Sequence, residues 1–160
     1  MKPLILCLGN EIISDDRFGA EIAELLQGCS AVTDKADIEF AALAGFGLLD
    51  LMSGRSQVLI VDTIRMGADP GTLHLFNSDR FVPSKNLTTS HQISLPTALE
   101  LGKQLGYRMP MTVDVLAVEA LDLETLNETL TPPVAAAIQP ALDLVEKWVC
   151  KHQEESTHVG

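Results

Sequence analysis

The chain has 160 residues, a formal net charge of −11, 46% apolar residues and only 4% aromatic residues. This length and apolar content suit one folded domain with an aliphatic core, and they exclude a disordered chain. The negative charge makes nucleic acid and anionic membrane surfaces poor partners, because both repel an acidic protein. Since no apolar stretch is long enough to cross a bilayer and no signal peptide is recognisable, the sequence indicates a cytoplasmic protein.

The first predicted unit is a strand followed by a helix. Leu4–Leu8 is a continuous apolar run closed by Gly9, which is typical of a strand buried on both faces of a parallel sheet. Apolar residues then recur at helical spacing over residues 18–26, and Gly28 can end this helix. The acidic pair Asp15-Asp16 precedes the helix, where the helix dipole favours negative charge. Asp15 is the better candidate for capping the helix if Asp16 points outward.

The rest of the chain alternates between strand and helix patterns. Further strands are predicted at residues 38–42, 57–61, 71–76 and 111–120, the third of them more exposed. Helices are predicted at Phe46–Met52, at 91–105 with Pro96 in its first turns, and at 133–150 with a kink at Pro140. The alternation predicts an α/β fold, a three-layer α/β/α sandwich around a mostly parallel sheet. The predicted domain covers residues 1–150, and the polar residues 151–160 are predicted to form a flexible tail.

Three chemically active side chains are expected at one edge of this sheet. Ligands of open parallel sheets bind outside the carboxyl ends of the strands. Asp16 follows the first strand, Asp62 ends the strand 57–61, and His91 opens a helix after the long loop 77–90. Two carboxylates and a neutral imidazole suit a borderline divalent cation such as Ni, Zn, Co or Mn. The same groups can instead carry out acid–base chemistry.

Each of these residues also has a structural interpretation that the sequence leaves open. Asp16 can cap the helix, Asp62 can start a turn, and His91 can be an ordinary surface residue. Glu119, near the end of the strand 111–120, is a further candidate for the same edge, with solvation of the strand end as the alternative.

Other site types are less well supported by the sequence. Cys7, Cys29 and Cys150 are widely spaced, so we expect reduced thiols rather than disulfides or a metal site. The loop after the first strand lacks the later glycines of a dinucleotide fingerprint, and the chain has no P-loop and no Gly-x-Ser-x-Gly elbow. His152 and His158 stand on the predicted flexible tail, which offers no rigid support for a metal.

The first loop carries a pattern that points to a known family. Residues 8–19, which contain a glycine and asparagine, a short apolar spacer, an acidic pair and a glycine early in the helix, resemble the N-terminal signature of the hydrogenase maturation endopeptidases. These proteases trim the C-terminus of the large subunit of nickel–iron hydrogenases. Asp62 falls at the second acidic position of the family, and His91 falls at its histidine position. The resemblance extends to about Trp148.

The resemblance implies that Asp16, Asp62 and His91 are the metal-contacting and catalytic residues, the same three that the sheet-edge argument selects. It implies a peptidase that recognises nickel already inserted in the precursor of a hydrogenase large subunit and then removes a short C-terminal peptide. Nickel is then carried by the substrate rather than held as a permanent cofactor. The precursor is the implied partner, and a monomer is the favoured state of this chain. The alternative is a non-catalytic nickel-binding chaperone or checkpoint protein for the same precursor.

The chain departs from the family at two places. Arg17 stands where many relatives have glycine, which puts a bulky cation beside Asp16. Residues 44–48 replace a segment that contains Gly-Thr in many relatives and is expected to shape the substrate cleft. Two mechanisms stay open: the metal polarises the scissile carbonyl or activates a water, or Asp16 or Asp62 is a general base while the metal positions the substrate.

Overall fold

A five-stranded sheet organises the part of the computed structural model that is described, namely residues 1–42, 46–78 and 95–158. Its strands are β1 (Leu4–Leu8), β2 (Asp37–Ala41), β3 (Gln57–Ile64), β4 (Leu73–Asn77) and β5 (Thr112–Glu119). They lie in the order β2-β1-β3-β5-β4, and only β4 runs antiparallel to its neighbour. The prediction of a mostly parallel sheet is confirmed.

Helices cover both faces of the sheet. They are α1 (Phe18–Gln27), α2 (Ser30–Thr33), α3 (Phe46–Met52), α4 (Leu95–Gln104), α5 (Pro132–Ala135) and α6 (Ile138–His158). One core cluster joins α1, α2, α5 and α6 to one face of the sheet, and a second cluster joins α3 and α4 to the other. This arrangement confirms the α/β/α sandwich.

Strand β1 runs through the centre of both cores. Ile5 and Cys7 face the cluster under α1, whereas Leu4, Leu6 and Leu8 face the cluster under α3 and α4. Each of these side chains is at most 2% exposed. A strand that is covered on both sides has no position for a polar side chain, which explains its continuous apolar sequence. The predicted bounds of β1 and α3 are confirmed.

Strand β3 is longer than predicted, and this changes the position of Asp62. The predicted strand stops at Val61, but β3 continues because Asp62, Thr63 and Ile64 pair with residues 117–119 of β5. Asp62 therefore lies inside the strand, and the prediction that it closes the strand is wrong. Asp62 still belongs to the C-terminal half of β3, because it follows Val61, the last residue of β3 that pairs with β1.

The C-terminal helical region also differs from the prediction. Residues 136–137 separate α5 from α6, so the break precedes Pro140 instead of falling on it. Pro140 lies in the first turn of α6, where a missing N–H costs no helical hydrogen bond. Helix α6 continues to His158, so most of the segment predicted as a flexible tail is helical. His152 is only 4% exposed, and its ring stacks on Trp148 with a centroid distance of 4.2 Å.

Some predicted features lie outside the described residues. These are most of the loop 77–90, the start of the helix 91–105 with His91, and residues 44–45 of the segment that departs from the family pattern. Among the helices of the described ranges, none is long and apolar enough to cross a membrane.

Candidate active site

Two glycines bring the acidic loop onto the end of β1. Gly9 has a φ of +152°, and a β-carbon there would lie 2.1 Å from the backbone oxygen of Asp16. The same oxygen accepts a hydrogen bond of 3.1 Å from the backbone N–H of Asn10. A β-carbon on Gly19 would lie 2.2 Å from the backbone oxygen of Leu8. The glycines at both ends of the signature therefore allow the loop and α1 to pack directly on β1, which places Asp16 at its carboxyl end.

Asp15, the first residue of the acidic pair, is completely buried. Its Oδ2 accepts hydrogen bonds of 2.8 Å from the backbone N–H groups of Leu121 and Asp122. Its Oδ1 accepts hydrogen bonds of 2.8 Å from the backbone N–H and the hydroxyl of Thr131. Helix α1 begins after Arg17, which makes no side-chain capping bond. The prediction that Asp15 caps the helix is wrong, because its carboxylate instead ties the signature loop to the segment between β5 and α5.

Asp16 and Asp62 meet on one residue, Thr63. The Thr63 hydroxyl donates a hydrogen bond of 3.1 Å to Asp16 Oδ1, and the Thr63 backbone N–H donates one of 2.8 Å to Asp62 Oδ1. Asp62 is 3% exposed, whereas Asp16 is half-buried. Both carboxylates thus contact Thr63, and the assignment of Asp16 and Asp62 to one site stays a prediction.

Thr63 was missed by the sequence analysis. A threonine after a buried apolar run looks like an ordinary strand residue, since β-branched side chains favour strands. One signal was available: side chains alternate along a strand, so Thr63 faces the same side as Val61, which packs in the cluster under α1. The loop that carries Asp16 leads into α1, and this face is where a donor can reach it.

Glu119 is also buried near the carboxyl end of β5, with 1% exposure. Its two carboxylate oxygens accept hydrogen bonds of 2.9 Å and 3.1 Å from the backbone N–H of Met66, and Oε1 lies 3.3 Å from His74 Nε2. The alternative of simple solvation at a strand end is therefore wrong for Glu119. The residue links β5 to β4 and to the turn that follows β3.

Cys7 lies in β1 directly opposite Val61, the residue before Asp62. Burial, and to a smaller extent the negative charge of Asp62, raise the pKa of the Cys7 thiol to about 12. A thiol with this pKa stays protonated at neutral pH and is a poor nucleophile. Cys7, Cys29 and Cys150 are all free, as the spacing of the cysteines predicts.

Arg17, the bulky cation beside Asp16, contacts the signature loop and α1. Its Nε donates a hydrogen bond of 3.1 Å to Glu21 Oε1, one turn further along α1, and its Nη1 donates one of 3.1 Å to the backbone oxygen of Glu11. The guanidinium therefore links the signature loop to the first turn of α1.

The described residues contain no group of three or more histidine, cysteine, aspartate or glutamate side chains that could hold a metal ion. His91, the nitrogen donor of the predicted set, lies outside these residues. Asp16 and Asp62 contribute carboxylate oxygens, which suit borderline divalent cations when a nitrogen donor joins them.

Comparison with known proteins identifies the family. Residues 20–148 match the HycI family of hydrogenase maturation proteases. The hydrogenase 2 maturation protease of Escherichia coli K12 is 32% identical over 148 residues, which are 91% of this chain and 88% of that protein. The hydrogenase expression/formation protein HupD of Bradyrhizobium diazoefficiens is 31% identical over 144 residues, 88% of this chain and 74% of that protein.

A solved structure agrees with these sequence relatives. The hydrogenase-maturating endopeptidase HybD from E. coli superposes with a TM-score of 0.73 at 28% identity, covering 91% of this chain and 90% of that one. Sequence and fold thus point the same way, and they confirm the resemblance found in the signature loop. This chain belongs to the hydrogenase maturation protease family, and it is a peptidase.

Proposed function

We propose that this peptidase acts on the precursor of a nickel–iron hydrogenase large subunit, recognises nickel already inserted in that precursor, and removes a short C-terminal peptide. The observation that best supports this function is the pair of carboxylates, Asp16 and Asp62, joined through Thr63 beside the carboxyl end of β1. Membership of the family supports a hydrogenase precursor as the substrate, since the E. coli relative is named a hydrogenase 2 maturation protease.

Asp16, Asp62 and His91 are proposed to contact the nickel ion of the precursor. Asp16 and Asp62 are carboxylates that each contact Thr63, and carboxylate oxygens together with an imidazole nitrogen suit a divalent cation. The half-buried Asp16 is the more accessible of the two, whereas Asp62 is 3% exposed. Because nickel arrives with the substrate, this chain needs no thiolate ligands of its own.

The chemistry follows from the same groups. Nickel, when present, supplies a Lewis acid next to the scissile carbonyl. Asp16 or Asp62 takes the proton of the attacking water as a general base, and Asp16 is better placed for this because it is the less buried residue. The free cysteines suit the cytoplasm, where thiols stay reduced, so we propose that the reaction occurs there. We also propose that the chain acts as a monomer.

The proposal is tested by incubating the purified chain with the precursor in nickel-loaded and metal-free form and measuring the intact mass of the large subunit. We expect a loss of mass equal to a short C-terminal peptide from the nickel-loaded form only. Asp16→Asn and His91→Ala are expected to abolish the product, whereas Asp34→Asn, which alters an exposed carboxylate at the end of α2, is the matched control and keeps full activity. Full-rate cleavage by both site variants would refute the assignment of the site. A stable complex without product would favour a chaperone role.

A further inference from the structure

We infer that Thr63 is a positioning residue of this peptidase, whose hydroxyl fixes the orientation of Asp16 relative to β3, the strand that carries Asp62. This inference rests on the proposed role of the two aspartates as nickel contacts. It assigns a function to a side chain that acts through Asp16.

The geometry gives Thr63 two separate donors for two separate carboxylates. Its backbone N–H belongs to β3 and donates to Asp62 Oδ1 over 2.8 Å, while its hydroxyl donates to Asp16 Oδ1 over 3.1 Å. Hydrogen bonds to ionised acceptors are roughly twice as strong as those between neutral groups. The contact to Asp62 uses the backbone and does not depend on the side chain at position 63, whereas the contact to Asp16 requires the hydroxyl.

Thr63 is itself held rigidly. It is 7% exposed, and it pairs with Val118 in the long parallel ladder between β3 and β5. Its β-branched side chain has few accessible rotamers, so the hydroxyl has a defined position relative to the sheet. Through this hydroxyl, the central sheet restrains the Asp16 side chain, although Asp16 itself belongs to a short helical turn.

Asp16 is restrained by two different devices. The buried Asp15 carboxylate and the Asn10 hydrogen bond restrain the backbone of the loop. The Thr63 hydroxyl restrains the Asp16 side chain. Without that hydroxyl, one Asp16 oxygen loses the donor that orients it, and a cation bound by Asp16 loses a ligand in the correct orientation.

The effect of removing such a partner can be estimated. Hydrogen-bonding partners that orient metal ligands typically change metal affinity or activity by about 10–100-fold when they are mutated. We therefore expect Thr63→Val, which keeps the shape of the side chain but removes the donor, to lower kcat/KM on the nickel-loaded precursor by about 10–100-fold. Thr63→Ser keeps the hydroxyl and is expected to retain most of the activity.

A second readout separates positioning from a general loss of structure. Titration of the free chain with Ni²⁺ is expected to show weaker binding by Thr63→Val by about the same factor as the loss of activity, and near-native binding by Thr63→Ser. Far-UV circular dichroism and urea unfolding confirm that both variants are folded. If Thr63→Val does not fold, the comparison of Thr63→Ala with Thr63→Ser replaces it, because that pair also differs in the hydroxyl.

The inference is overturned if Thr63→Val has native Ni²⁺ affinity and native kcat/KM, or if Thr63→Ser is as impaired as Thr63→Val. The Asp16→Asn variant, measured beside them, separates this failure from failure of the proposed function. An inactive Asp16→Asn with a fully active Thr63→Val refutes only the role of Thr63. Full activity in both variants refutes the proposed site together with it.

Discussion

Replacement of Asp15 by asparagine should separate the two members of the acidic pair, because the structure gives them different tasks. Asp15 is completely buried, and its carboxylate accepts hydrogen bonds from Leu121, Asp122 and Thr131, all at 2.8 Å. In Asp15→Asn one oxygen becomes an amide N–H₂ that faces protein N–H donors. The substitution therefore loses acceptor capacity, removes the charge and leaves donors without partners.

The expected loss of stability follows from these contacts. A hydrogen bond to a charged group contributes about 1.5–3 kcal/mol, and a buried donor left without a partner costs about 1–3 kcal/mol. Because the contacts share one carboxylate and are not additive, we expect Asp15→Asn to lower the free energy of unfolding by about 3–5 kcal/mol. For a chain of this size, each kcal/mol lowers Tm by about 2–4 °C, so Tm should fall by about 10 °C.

The assay is urea unfolding followed by far-UV circular dichroism, with Asp16→Asn as the matched control. Asp16 is half-buried, and an asparagine there still offers an oxygen to the Thr63 hydroxyl, so the control should lose less than about 1 kcal/mol. Activity should follow the opposite order, with Asp16→Asn inactive and folded Asp15→Asn partly active. Native stability in Asp15→Asn, or a larger destabilisation by Asp16→Asn, would refute the division of roles.

Three further predictions concern β1 and its packing. Gly19→Ala should lower the free energy of unfolding by about 2–3 kcal/mol, because the new β-carbon would lie 2.2 Å from the Leu8 backbone oxygen. Gly28→Ala is the control and should change the free energy of unfolding little, since its nearest contact would be at 3.6 Å. Equal thermal unfolding of the two variants would contradict this prediction. The folded Cys7 thiol keeps its proton up to a pKa of about 12, whereas an unfolded thiol loses it near 9.0, so stability should fall as pH rises between these values. At pH 8, a thiol reagent should label exposed Cys150 and leave Cys7 unmodified until the chain unfolds; rapid labelling of both would show that Cys7 is accessible.

Features that depend on local sequence were predicted well. The bounds of β1 and α3 follow from short apolar patterns, and α1 ends before Gly28 as expected. The position of Asp62 was predicted less well, because the length of β3 is set by its pairing with β5 and not by its own apolar run. The helical continuation of α6 through residues 151–158 was missed because the segment is polar.

The candidate site also depends on contacts between residues far apart in the chain, which the local sequence does not reveal. The sequence places Asp15 and Asp16 side by side, but their different roles depend on partners far away in the chain, at Thr131 for Asp15 and at Thr63 for Asp16. Parallel strand topology predicts that Asp16 and Asp62 lie at one edge of the sheet, and each of them contacts Thr63. It was not sufficient to identify the residue between them, because that requires the signature loop to fold back onto β1 and reach the side chain from β3.

The most direct test of the proposed nickel-dependent cleavage is the intact mass of a hydrogenase large-subunit precursor after incubation with this peptidase. We expect a shortened large subunit and a released C-terminal peptide from the nickel-loaded precursor, and an unchanged mass from the metal-free precursor or with Asp16→Asn. Cleavage that proceeds equally without nickel, or at full rate with Asp16→Asn, would contradict it.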